Sequence, residues 1–356
     1  MNSASKKAIL VVSFGTSYEN TRKVTIDAIE RDIADAFPAC PTYRAWTSKM
    51  IISKLKKRDG IIINTVKEAM EQMIADGITE VIVQPTHVIN GIENDLMKED
   101  ALAFKNHFER ITFGDPLLTT QQDHVEIVNA ICQEFSNLPE DCALILMGHG
   151  TSHYANDVYA ALDYRFKDLG FSNIHLATVE GYPTLENVTR MVKEQGAKKV
   201  ILAPFMIVAG DHARNDMSGD DEDSWKTQFV ESGAFDSVDA QIEGLGRIEA
   251  VEQIYVDHTK AAIDSLGTSD DAEATDDTAE ETTEEVPNTT VTAETTNTNN
   301  QYVDIYEQLR LRVREENRLE NLERDFPNLK EENSPTNKVG GMILEKFEKF
   351  EHPIAM

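Results

Sequence analysis

Short apolar runs alternate along the first 267 positions with longer stretches in which apolar side chains recur every three or four residues. The runs at 8–13, 42–46, 80–84, 111–113, 143–147, 174–179, 199–203 and 238–242 are too short for buried helices and read as strands. Between them, 21–37, 63–76, 95–110, 124–137, 156–169, 185–194 and 248–266 carry helical spacing. Val24, Ile26, Ala28, Ile29, Ile33 and Ala36 form the apolar stripe of the first, and Pro38 ends it. Gly77, Gly170 and Gly196 stand where other helices should stop. Strands separated by helices require βαβ crossovers, and hence parallel sheets covered on both faces.

The pattern is duplicated. Val81-Ile82-Val83-Gln84-Pro85 followed by Gly91 matches Val200-Ile201-Leu202-Ala203-Pro204 followed by Gly210, at an offset of 119 residues. Ser13-Phe14-Gly15-Thr16-Ser17 likewise matches Gly148-His149-Gly150-Thr151-Ser152. The fold class is therefore α/β, with two similar lobes, 1–120 and 121–267, each a parallel sheet flanked by helices, facing one another across a cleft. Ligands in such folds sit beyond the C-terminal ends of the strands.

The copies differ in chemistry. The second has His149 where the first has Phe14, and His212 where the first has Glu93. Glu180 follows the strand between them. His149, Glu180 and His212 are spaced by 31 and 32 residues, one βαβ unit each, so successive strands deliver one group apiece to the same crevice. Two neutral imidazoles and a carboxylate suit a borderline divalent transition metal such as Co(II), Ni(II), Fe(II) or Zn(II). The carboxylate equally suits a general base. His87 and His124 have no partner pattern and read as structural; His153 is a weak candidate beside the His149 loop.

Charge and composition narrow the classes. The net charge of −29 disfavours nonspecific nucleic-acid binding. It is uneven: residues 268–300 hold ten acids and no Lys or Arg, which reads as a disordered acidic linker. Residues 301–356 read as a helical appendage of unknown role. Cys40, Cys132 and Cys142 are too few and too scattered for a disulfide framework or a zinc knuckle. No apolar stretch reaches membrane-spanning length and no signal-peptide core is present, so the expectation is a cytoplasmic protein with no membrane partner. A homo-oligomer is compatible with the sequence and not specified by it.

The chain resembles the single-subunit, anaerobic-type sirohydrochlorin cobaltochelatases of cobalamin biosynthesis, class II chelatases akin to ferrochelatase. The resemblance covers residues 6–265. It rests on Val12-Ser13-Phe14-Gly15-Thr16-Ser17, Met147-Gly148-His149-Gly150-Thr151, Val179-Glu180-Gly181-Tyr182-Pro183 and the long motif from Pro204 through Gly210-Asp211-His212-Ala213-Arg214-Asn215-Asp216-Met217. It implies a two-lobed chelatase fold, metal-binding roles for His149 and His212, and Glu180 as metal ligand or proton acceptor. It implies insertion of Co(II) into sirohydrochlorin with loss of two protons and no nucleotide; Fe(II) or Ni(II) insertion into the same tetrapyrrole is the alternative. No cofactor beyond the substrate metal is expected. Residues beyond 267 fall outside the family pattern.

A polycarboxylate substrate requires local bases on an acidic protein. Arg44, Lys49, Lys54, Lys56, Lys57 and Arg58 cluster after the second strand, and Arg44 has the fork that matches a carboxylate. Lys56 and Lys57 read as a solvated helix face. Phe14, Trp46, Tyr182 and Phe205 are candidates to lie against the ring, with ordinary core packing as their competing role. Asp211, Asp216, Asp220, Asp221, Glu222 and Asp223 read either as a relay for hydrated metal or as a solvated acidic loop. Two kinds of rival reading remain, another enzyme class and a carrier. A histidine phosphatase would need an arginine before His149, where Gly148 stands; a serine hydrolase would need a Gly-x-Ser-x-Gly elbow, which is missing. A metal or tetrapyrrole carrier without turnover would keep the same trio.

Overall fold

The computed structural model describes residues 6–267; the linker and appendage expected at 268–300 and 301–356 lie outside them. The eight expected strands are all present: β1 (Lys7–Ser13), β2 (Thr42–Trp46), β3 (Glu80–Pro85), β4 (Arg110–Phe113), β5 (Cys142–Gly148), β6 (Ile174–Thr178), β7 (Lys199–Pro204) and β8 (Ser237–Ala240). They form two four-stranded sheets ordered β2-β1-β3-β4 and β6-β5-β7-β8, every pair parallel. Identical order in both sheets is the structural form of the sequence duplication. β1, β3 and β5 are buried along nearly their whole length, as parallel strands covered on both faces must be.

Helices α1 (Glu19–Val24), α2 (Ile26–Ala36), α3 (Lys49–Asp59), α4 (Val66–Ala75) and α5 (Ile92–Leu102) belong to the first half. Helices α6 (Gln121–Glu134), α7 (Asp157–Asp168), α8 (Leu185–Gln195), α9 (Trp225–Glu231) and α10 (Glu249–Gly267) follow. The single helix expected over 21–37 is two. Thr25 departs from helical geometry (φ −128°, ψ −86°), and its hydroxyl donates to the Thr21 carbonyl at 2.6 Å in place of a regular turn. The helix expected over 95–110 starts earlier, at Ile92, and gives way to a short 3₁₀ turn, Lys105–His107. Helices α4, α6 and α8 each begin with a reciprocal capping box, at Thr65, Thr120 and Thr184.

The last helix does not stay with its own half. α10 packs on α2, β3 and β4 as well as α6. Tyr255, fully buried, donates to the carbonyls of Thr86 and His87 at 3.1 Å. His258 bridges the Asp115 carbonyl and the Asp123 carboxylate, and Thr259 reaches Gln84. One hydrophobic cluster therefore runs through both halves, joining Ile9, Ile29 and Ile82 to Leu144, Leu146 and Tyr255.

Candidate functional site

The three strand-end groups arrive where β5, β6 and β7 stop. His149 sits between two glycines that tolerate no substitute. Gly150 has φ +81°, and a Cβ there would lie 2.7 Å from the Gly181 nitrogen and 2.8 Å from Thr178 Cβ. A Cβ on Gly148 would come within 2.8 Å of the Tyr159 ring. The first lobe uses the same device: Gly15 (φ +103°) lies over Trp46, where a Cβ would meet the indole at 2.5 Å. The two loops are thus built alike, and Phe14 (44 % exposed) holds the position of His149.

The tautomers follow from partners that can only accept. His149 Nδ1 lies 2.9 Å from the Gly150 carbonyl, so the proton is on Nδ1 and Nε2 keeps its lone pair. His212 opens a π-helical turn, His212–Met217, that brings Asp216 back onto its ring. His212 Nδ1 is held by that carboxylate, which again leaves Nε2 as the free donor atom. The two imidazoles stand edge to face, with centroids 4.7 Å apart and planes at 90°.

Glu180 is anchored through its backbone, whose N–H donates to the His149 carbonyl at 2.9 Å. Its carboxylate oxygen lies 3.7 Å from His149 Nδ1, on the ring edge away from Nε2. The structure therefore brings the two histidines together and places Glu180 beside them. Among the described residues, no three His, Cys, Asp or Glu side chains close around a metal-sized position. The loops are tied by Asn156, a buried residue the sequence reading passed over. Its Oδ1 accepts from Thr151 N at 3.1 Å, and its Nδ2 donates to the Tyr182 carbonyl at 2.8 Å.

A second residue enters the site without having been a candidate. Glu93, in the first turn of α5, is reachable by solvent yet set among protein atoms at the seam between the lobes. Burial raises its carboxyl above the ordinary value, against smaller pulls from the Thr47 hydroxyl and from His149. The duplication carried the signal, because Glu93 is the repeat partner of His212.

One expectation is corrected, and the remaining candidates take the places that follow. Arg44 does not face the seam: its guanidinium is bound by Asp27 and Glu30. Trp46 and Phe205 are fully buried and serve the core, whereas Tyr182 is 59 % exposed. Asp216 and Asp211 have partners, His212 for the first and Tyr18 for the second, whose hydroxyl donates at 2.6 Å. Asp220, Asp221, Glu222 and Asp223 are exposed. His153 is buried and faces the other lobe, its Nε2 3.5 Å from Asp95 of α5. His87 and His124 are buried, and burial presses the His87 imidazole down to about 4.

Two like-ordered parallel sheets, with a pair of imidazoles oriented through Nδ1 and open at Nε2 at the strand ends, define a chelatase-type metal-handling protein. Comparison with known proteins makes this specific. The cobalt chelatase (CbiK) family model matches residues 7–264, and the chain belongs to that family. It is 40 % identical over 258 residues to a sirohydrochlorin cobaltochelatase of Salmonella typhimurium, covering 72 % of this chain and 97 % of that one. It is 31 % identical over 271 residues to sirohydrochlorin cobaltochelatase CbiKC of Nitratidesulfovibrio vulgaris, covering 73 % and 92 %. SirB from Bacillus subtilis with Fe3+ shares the fold, at a TM-score of 0.53 and 13 % identity, covering 74 % of this chain and 98 % of that one.

Proposed function

We propose that this protein is an enzyme inserting Co(II) into sirohydrochlorin, and that His149, Glu180 and His212 form its reacting centre. The single observation that carries the site assignment is the His149–His212 pair. Both Nδ1 atoms are engaged, neither Nε2 has a hydrogen-bond partner among the described residues, and the ring centroids are 4.7 Å apart. Two neutral nitrogen ligands suit the substrate ion while leaving its other positions for pyrrole nitrogens. The names and extent of the curated relatives support the reaction.

Metal insertion replaces two pyrrole N–H protons with one divalent ion, so the site must accept two protons. Two carboxylates lie beside His149. Glu93, its carboxyl held above the ordinary value, is one candidate base. Glu180, on the Nδ1 edge, is the second acceptor and steadies His149 in the tautomer that presents Nε2. Hydrogen bonds to Gly150 and Asp216 keep the rings from turning as the ion changes partners.

The test is anaerobic visible absorbance of sirohydrochlorin mixed with Co(II). The intact protein should convert the spectrum rapidly, and His149→Ala and His212→Ala should each lose the conversion. No conversion by the wild type above the uncatalysed rate sinks the enzyme and leaves a carrier.

A further inference from the structure

The corrected position of Arg44 leaves open what holds the acidic rim of the substrate. Tyr18 lies in the loop after Gly15, at the lobe boundary. Arg214, two residues past His212 on the π-helical turn of the second lobe, places its guanidinium carbon 4.6 Å from the Tyr18 ring centroid. Lys54, from α3 of the first lobe, brings its ammonium to 6.0 Å from the same centroid. Among the described residues, neither cation forms an ion pair. Of the two acids flanking Arg214 on this turn, Asp216 is held by His212 and Asp211 accepts from the Tyr18 hydroxyl at 2.6 Å. The third base, Arg58, is satisfied by Asp59 and by the Ser17 carbonyl at 2.7 Å.

Two unneutralised cations, delivered from opposite lobes to one aromatic ring, need an explanation on a chain of net charge −29. We propose that Lys54 and Arg214 form a carboxylate subsite that grips one peripheral acid group of the tetrapyrrole and sets the macrocycle edge beside His212. The inference rests on the proposed tetrapyrrole substrate. Tyr18 stacks with the guanidinium and presents its forked donors, which match a carboxylate in two parallel hydrogen bonds. Lys54 supplies a point charge from the other side of the boundary. Because the subsite draws on both lobes, a bound carboxylate also links them.

The experiment measures anaerobic binding of metal-free sirohydrochlorin to the full chain by fluorescence, without Co(II), so that the readout does not depend on turnover. Arg214→Gln and Lys54→Gln should each raise Kd about tenfold, the size of one charge-assisted contact. Arg214→Lys should recover part of the loss, and Lys57→Gln, an exposed lysine on the same helix as Lys54, should bind like wild type. Kd should also rise with salt in the wild type and less steeply in the Lys54→Gln/Arg214→Gln double variant. Circular dichroism of each variant verifies the fold. A folded double variant with wild-type Kd and wild-type salt dependence overturns the subsite while leaving the chelatase reading intact. A wild type that neither binds nor metallates sirohydrochlorin overturns that reading, and the subsite with it.

Discussion

A methyl group at position 150 has nowhere to go. Gly150→Ala must either abandon φ +81° or push the Gly181 nitrogen away, and either movement carries His149 with it. The expected cost is about 1–3 kcal/mol of stability, read by urea unfolding. The accompanying displacement of the imidazole should slow metallation about 100-fold. Asn156→Ala tests the same loops from below: it strands the Thr151 N–H and the Tyr182 carbonyl, at about 1–3 kcal/mol. Cobalt insertion should fall more steeply than melting temperature; equal, small losses in both would make Asn156 ordinary scaffolding. Glu93→Gln preserves shape and removes the base, so kcat should drop about 100-fold or more. An unchanged kcat would return the proton-accepting role to Glu180 alone. The meeting of His149 with His212, and Glu180 beside them, was legible in the chain, because strand ends in a duplicated pattern announce where side chains converge. Asn156 was not, since its importance lies in two backbone partners, 5 and 26 residues from it in sequence, and no periodicity encodes that.

At the scale of elements, apolar periodicity located every strand and misjudged only what capping and local hydrogen bonds decide. The break at Thr25 depends on one hydroxyl, and α3 and α9 were not expected: they start at the Ser48 and Ser224 caps and bury short apolar sets, Leu55 in the first and Trp225 and Phe229 in the second. Why α10 leaves its own sheet is a tertiary matter that no local pattern records. That helix carries a pH-dependent cost. Burial, and then the neighbouring Asp32 carboxyl, push Glu252 up to about 7. A raised acid is penalised only when ionised. The penalty is absent below about pH 4.5, grows as pH rises towards 7, and is full above it. Glu252→Gln should therefore stabilise the protein at pH 8 by on the order of 1 kcal/mol, with the gain fading towards pH 4.5. Denaturant titrations at both values decide it: a gain independent of pH would assign the effect to packing.

On the scale of the whole molecule, the cobalt chelatase family match ends at residue 264, while the chain runs to 356. A protein cut after Gly267 retains every residue assigned to the reaction and should metallate sirohydrochlorin at the full-length rate in the same absorbance assay. A large loss would give residues 268–356 a share in catalysis.

The course of α10 also has a consequence for synthesis. The strands of the first sheet are made early, but part of their cover is α10, the last helix among the described residues. While the polypeptide is still emerging from the ribosome, that first half has a greasy flank that α10 has not yet covered. The expected outcome is that the first sheet gains its full cover only after α10 has been made, late in synthesis rather than with its own strands.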